Sequence, residues 1–177
     1  MVTIIIGGSG SGKSEYAEDL IVQYGKEYEG SLVYIATMQP YDTETKIRIQ
    51  KHQMMRQSKN FLTLECYTGL DQIKLGRHSA VLLECMSNLV ANEMFSDKGA
   101  KESTRESVLQ GVEKLLHQAD HLVVVTNNVF EAGSDYDSGT LEYLSILGEV
   151  NLRLCSMADQ VIEVVHSIPI FIKKAEG

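Results

Sequence analysis

The 177-residue sequence has no tryptophan, two prolines and three cysteines, and it holds no apolar run long enough to cross a bilayer. Cys66, Cys85 and Cys155 are widely spaced and make no CxxC pair, so neither a disulfide framework nor a zinc site follows. Buried free thiols are expected instead. There is no basic tract, and the net charge of −8 argues against a nucleic-acid partner. A small anionic substrate would have to be met by local positive charge. No basic-then-apolar leader precedes the first apolar run, so a cytoplasmic location without a membrane span is expected. With so little proline and no repeat or low-complexity segment, residues 1–177 read as one domain.

What is present is concentrated near the start. "TIIIGGSGSGKSEYAEDL", residues 3–20, runs from an apolar strand through seven small residues and a lysine into a helix. Gly7, Gly8, Ser9, Gly10, Ser11, Gly12, Lys13 and Ser14 have the spacing of a phosphate-binding loop, GxxxxGKS. Glycines let successive N–H groups turn inward, and the helix that follows adds its positive end. Lys13 can reach the β- and γ-phosphates of a nucleoside triphosphate, and the Ser14 hydroxyl can bind Mg²⁺.

Strands are expected near 2–6, 31–37, 61–66, 79–84 and 121–126, with helices near 13–25, 43–58, 86–96, 102–118 and 139–157. Two final strands, 160–165 and 168–173, flank His166-Ser167 as a closing hairpin. This is an α/β pattern of the P-loop NTPase type: a mostly parallel sheet, helices on both faces and a C-terminal antiparallel hairpin. Ligands in such sheets sit beyond the carboxyl ends of the strands.

At those ends "AVLLE" closes on Glu84, an acid placed to hold Mg²⁺ with Ser14, directly or through water. "LVVVTNN" closes on Thr126, Asn127 and Asn128, which could orient a substrate or simply form a turn. Between 43 and 58, Arg48, His52 and Arg56 recur every fourth residue and share a helix face, with Asp42 or Thr43 as the cap. Like charge on both sides disfavours the cationic imidazole, and a neutral His52 is a nucleophile flanked by groups that suit a triphosphate. The alternative is a solvated basic face. His78, His117, His121 and His166 read as surface or capping residues, and Asp135 and Asp137 as loop acids with weak cation-site spacing.

Taken together, "GGSGSGKS", "VYIATMQP", "RIQKHQ", "LECY", "VLLECMSNLVAN", "VVVTNNV" and "VNLRLCSMADQVIEVVHSIPIFIK" resemble, in order and spacing, the adenosylcobinamide kinase / adenosylcobinamide-phosphate guanylyltransferase family. The resemblance runs over nearly the whole chain. It implies two reactions of cobalamin biosynthesis. A nucleoside triphosphate, ATP or GTP, phosphorylates the hydroxyl of the corrinoid adenosylcobinamide. GTP then gives GMP to that phosphate through a guanylylated histidine, releasing pyrophosphate. The matching histidine is His52, with Lys13 as the second catalytic group.

Nucleotide contacts are implied for Gly7 to Ser14, for Ala36, Thr37 and Met38, for Gln53, Met54, Met55 and Arg56, and for Glu65 and Glu84. Mg²⁺ accompanies the nucleotide, and a homotrimer is implied. After "VVVTN" the family reads Glu-Val-Gly, whereas this chain has Asn128-Val129-Phe130-Glu131-Ala132-Gly133, a departure bearing on the kinase half and the corrinoid contacts. Two rivals share the motif: a P-loop small-molecule kinase without guanylyl transfer, and a nucleotide-binding regulatory protein without turnover.

Overall fold

Ile4 and Ile5 of the first strand, β1 (Val2–Gly7), face opposite ways and are both fully buried, which requires cover on each side of the sheet. The computed structural model of the chain describes residues 1–27, 30–129 and 136–175, and it supplies that cover unevenly. On one side lies α1 (Lys13–Glu27), whose Ala17, Ile21 and Gly25 recur every fourth residue and meet the sheet. On the other lie α3 (Met86–Phe95), α4 (Thr104–Gln118) and α5 (Ser138–Met157), around a larger core that includes Met86, Leu89, Val112, Leu115, Leu147 and Leu154.

The remaining strands are β2 (Ser31–Ala36), β3 (Leu62–Glu65), β4 (Ser79–Leu83), β5 (His121–Asn127), β6 (Gln160–Val165) and β7 (Ile168–Lys173). Their order is β3-β2-β4-β5-β1-β6-β7, parallel except for β7, which runs antiparallel to β6. The expected architecture is therefore present, and β5 separates the phosphate-loop strand from β4. Among the described residues no helix is long and apolar enough to cross a membrane.

Helix α2 (Thr43–Arg56) is the outlier, because Arg56 is its only buried residue. Asp42 caps it, Oδ1 accepting from the Thr45 N–H at 2.7 Å. A short 3₁₀ turn, Gln57–Lys59, follows, and Lys59 ties that end to α1 by ion pairs to Glu18 at 3.1 Å and Asp19 at 2.8 Å.

Several local expectations need correction. His121 is buried and stacked on Tyr24 at 4.6 Å, with burial lowering its basicity, so it is a core residue. Asp137 caps α5, accepting from the Thr140 N–H at 3.0 Å and its hydroxyl at 2.8 Å. Asp135 and the departing segment 130–133 lie outside the described residues. Thr126 is spent on packing, its hydroxyl donating to Asn151 Oδ1 at 2.8 Å. The three cysteines are free as expected, but only Cys66 is a buried residue, Cys85 and Cys155 being half-buried.

The β6–β7 turn places both His166 (φ 47°) and Ser167 (φ 63°) in the left-handed region, as a two-residue hairpin loop requires. Asn-Gly satisfies that geometry with less strain. His166→Asn combined with Ser167→Gly is expected to stabilise the fold by about 1 kcal/mol, raising Tm by roughly 2–4 °C in a thermal melt. An unchanged or lower Tm would mean that the two native side chains make up the difference.

Candidate active site

The loop after β1 is shaped by its glycines. Gly10 and Gly12 have φ of 71° and 89°, which side chains on L-residues resist. A Cβ on Gly12 would also lie 2.5 Å from Ser167 Oγ of the β6–β7 turn. That turn supports the loop, the Ser167 N–H donating to Ser11 C=O at 2.7 Å, a contact nothing local in the sequence announces. From the other side the Asn128 N–H donates to Gly7 C=O at 3.1 Å. Lys13 bends back over the loop, its Nζ donating to Gly8 C=O at 2.7 Å. Burial lowers its pKa, with Cys85 nearby opposing the shift. Ser11 Oγ is buried without a partner, a hydroxyl left over inside an anion-shaped loop.

Helix α2 brings His52 to this loop. Gly10 to Ser14 and the α2 residues Arg48, Lys51, His52 and Met55 line one cavity of about 490 Å³. The phosphate loop and the predicted nucleophile therefore share a space within the usual range of ligand pockets. Two cations of α2 face it besides Lys13, although Arg48 also pairs with Glu44 at 2.6 Å. The expected symmetry of arginines around His52 does not hold. Arg56 turns the other way and stacks on the Tyr34 ring, 3.9 Å from guanidinium carbon to ring centroid.

Glu84 lies beyond the end of β4, buried, with its oxygens already engaged. Oε1 accepts from the Tyr34 hydroxyl at 2.9 Å, and Oε2 accepts from the N–H groups of Thr37 at 3.0 Å and Met38 at 3.3 Å. His52 Nδ1 faces Oε1 at 4.0 Å. The backbone leaving β2 is fixed again by Thr37, whose hydroxyl donates to Cys85 C=O at 2.9 Å while its carbonyl accepts from Asn92 Nδ2 at 2.9 Å.

The other sequence candidates gather beside this network. Ala36, Met38, Gln53, Arg56, Glu65 and Glu84 line a second, small cavity of about 100 Å³. Met54 lines neither cavity and is 69% exposed, and Thr37 is wholly buried. Tyr34 joins Glu84 to Arg56 but carries no signal in the sequence, since a tyrosine inside an apolar strand reads as core. Burial, and then the Glu84 carboxylate, keep its phenol protonated by raising its pKa.

The donor set suits Mg²⁺ arriving with a nucleotide rather than a resident ion. Among the described residues no three His, Cys, Asp or Glu side chains cluster as a metal site. Mg²⁺ typically takes one or two protein oxygens and completes its shell with phosphates and water. The hydroxyl of Ser14, at the mouth of the loop, fits that role. Glu84 Oε1, which accepts only the Tyr34 hydroxyl, keeps one lone pair unused.

Comparison with known proteins places this geometry. The ATPase domain of G40P superposes with a TM-score of 0.56 at 9% identity, covering 99% of this chain and 78% of that one. A KaiC-like protein from Pyrococcus horikoshii gives 0.50 at 14% identity, covering 92% and 69%. These likenesses establish the P-loop NTPase fold alone. The bifunctional adenosylcobalamin biosynthesis proteins CobU of Salmonella typhimurium and Escherichia coli are 32% and 29% identical, each over 98% of this chain and 100% of its relative. Residues 3–172 match the profile of the cobinamide kinase / cobinamide phosphate guanyltransferase family, and the chain belongs to that family.

Proposed function

We propose that this chain catalyses both reactions associated with its family, with His52 as the residue that carries GMP. It phosphorylates the hydroxyl of adenosylcobinamide from a nucleoside triphosphate, and it transfers GMP from GTP to the resulting phosphate. The observation that carries this reading is the single cavity lined by Gly10 to Ser14 and by His52. A nucleotide held by the loop would occupy the same cavity as the imidazole.

Each half has residues suited to it. In phosphoryl transfer the inward N–H groups of the loop and Lys13 neutralise the charge spread over the transferring phosphate. Lys13, now folded onto Gly8 C=O, exchanges that bond for a phosphate oxygen. The Ser14 hydroxyl would hold a Mg²⁺ arriving with the nucleotide, which would add further charge neutralisation. In guanylyl transfer the His52 imidazole attacks the α-phosphorus and pyrophosphate leaves. The corrinoid phosphate then displaces the imidazole, so that one difficult exchange becomes two easier ones. Glu65, on the wall of the small cavity, carries acceptors that match the N1–H and N2–H₂ donors of a guanine edge. The proposal extends to a homotrimer. It is supported by the exposed apolar face of edge strand β7, where Ile168, Ile170 and Ile172 are 65%, 47% and 62% exposed.

Three outcomes are expected. Protein incubated with Mg²⁺ and GTP gains the mass of one GMP, as an adduct stable in base and labile in acid, and His52→Ala gains none. An unmodified wild-type mass with GTP still bound would leave a kinase or a nucleotide-binding regulator. Lys13→Ala lowers phosphoryl transfer to adenosylcobinamide by roughly 10²–10³-fold in a steady-state assay, whereas a change within about threefold would remove Lys13 from the mechanism. Sedimentation equilibrium returns three times the chain mass, and Ile170→Lys shifts it toward the monomer.

A further inference from the structure

Glu84 is built into the structure in a way that nucleotide or metal contact does not require. It closes a ring of four side chains that leaves helix α2 and returns to it. His52 faces Glu84 at 4.0 Å, Glu84 accepts from Tyr34 at 2.9 Å, and Arg56 of the same helix caps the Tyr34 ring at 3.9 Å. Arg56 is one turn beyond His52 and is the only buried residue of α2. The helix is therefore docked through Arg56, and the docking sets where His52 stands relative to Glu84.

The two imidazole nitrogens are not equivalent. Nδ1 is buried and has no hydrogen-bond partner, a position that calls for an explanation in a well-packed site. Glu84 Oε1 is the carboxylate oxygen within ion-pair range of it, and that oxygen is steadied by the Tyr34 hydroxyl. Hydrogen bonds at reaction centres are often long before substrate binds and tighten in the complex. A carboxylate on one nitrogen of a histidine fixes the tautomer and ring orientation and stabilises the cation formed when the other nitrogen acts.

From this geometry, and resting on the guanylyl-histidine reading above, we propose that Glu84 is a positioning residue. It receives the Nδ1–H of His52, so that GMP is carried on Nε2. In the forward step the Nε2 lone pair forms the N–P bond and the bond from α-phosphorus to the bridging oxygen breaks. Pyrophosphate leaves with that electron pair, and the ring keeps its Nδ1 proton against the Glu84 carboxylate. In the second step an oxygen of the corrinoid phosphate bonds to phosphorus, the N–P bond breaks and its electron pair returns to Nε2. Arg56 and Tyr34 act one step further back, by holding the carboxylate and the helix in register.

The test is made on full-length protein with Mg²⁺ and GTP. The wild-type adduct is assigned to Nδ1 or Nε2 by proton–nitrogen and phosphorus NMR. Its formation rate is followed in single turnover by intact mass, with GTP affinity measured separately. The expected result is an Nε2 adduct. Its formation slows about 100-fold in Glu84→Gln and about tenfold in Tyr34→Phe, and in Tyr34→Phe GTP affinity stays within about threefold of wild type.

An adduct on Nδ1 overturns the proposal, and so does an unslowed rate in either variant. A loss confined to GTP affinity overturns it as well, and gives Glu84 to the nucleotide or its metal. If Glu84→Gln does not fold, the wild-type regiochemistry and Tyr34→Phe still decide. Absence of any adduct in the wild type removes the guanylyl-histidine reading itself, a result distinct from an adduct that ignores Glu84.

Discussion

A carboxylate buried at the end of a strand has to be surrounded by donors, since burying it unpaired costs several kcal/mol. Glu84 meets that demand with one phenol and two backbone N–H groups, and the site is arranged around the result. The two N–H groups belong to Thr37 and Met38, so the chain leaving β2 is pinned against the end of β4. The phenol belongs to Tyr34, whose ring receives Arg56 and with it the helix that bears His52. Strand ends that are neighbours in the sheet thereby become one rigid frame for a helix that otherwise buries almost nothing.

The phosphate loop depends on a second frame. It rises from β1 between β5 and β6, and both neighbours reach back to it, through Asn128 to Gly7 and through Ser167 to Ser11. Two residues in the left-handed region are tolerated in the β6–β7 turn where that contact is made. Local strain sits beside a functional loop here because the surrounding strands over-determine it. The loop is held on one frame and His52 on another, and their separation across β5 and β4 sets the width of the cavity between them.

Most of the fold was legible in the sequence because its signals are local. Ile4 and Ile5 mark a strand buried on both faces, and the spacing of Ala17, Ile21 and Gly25 marks the helix that covers one of them. Asp42 caps as its position suggested. The expectations that failed were those in which a side chain's partner is distant in the chain. His121 looked like a surface residue because nothing near it reveals that Tyr24 stacks on it. Helical spacing put Arg56 on the face of His52 and could not say that its guanidinium stacks on the Tyr34 ring. Thr126, which the sequence left between a substrate contact and a turn, is neither, because α5 brings Asn151 to its hydroxyl.

The sequence by itself determined the phosphate loop, the alternation of strands and helices, the family and the identity of His52 as the candidate nucleophile. The loop and the alternation are written in residue type and short spacing; the family and the candidacy of His52 come from the resemblance of motifs spread along the whole chain. Only the tertiary structure decided that Glu84 faces His52, that Tyr34 and Arg56 complete the ring behind it, and that a hairpin more than 150 residues away supports the loop at Ser11. The reason is physical. Which polar atom a buried side chain can reach depends on strand order and helix docking, and those are settled by the packing of the whole core rather than by any one stretch of it.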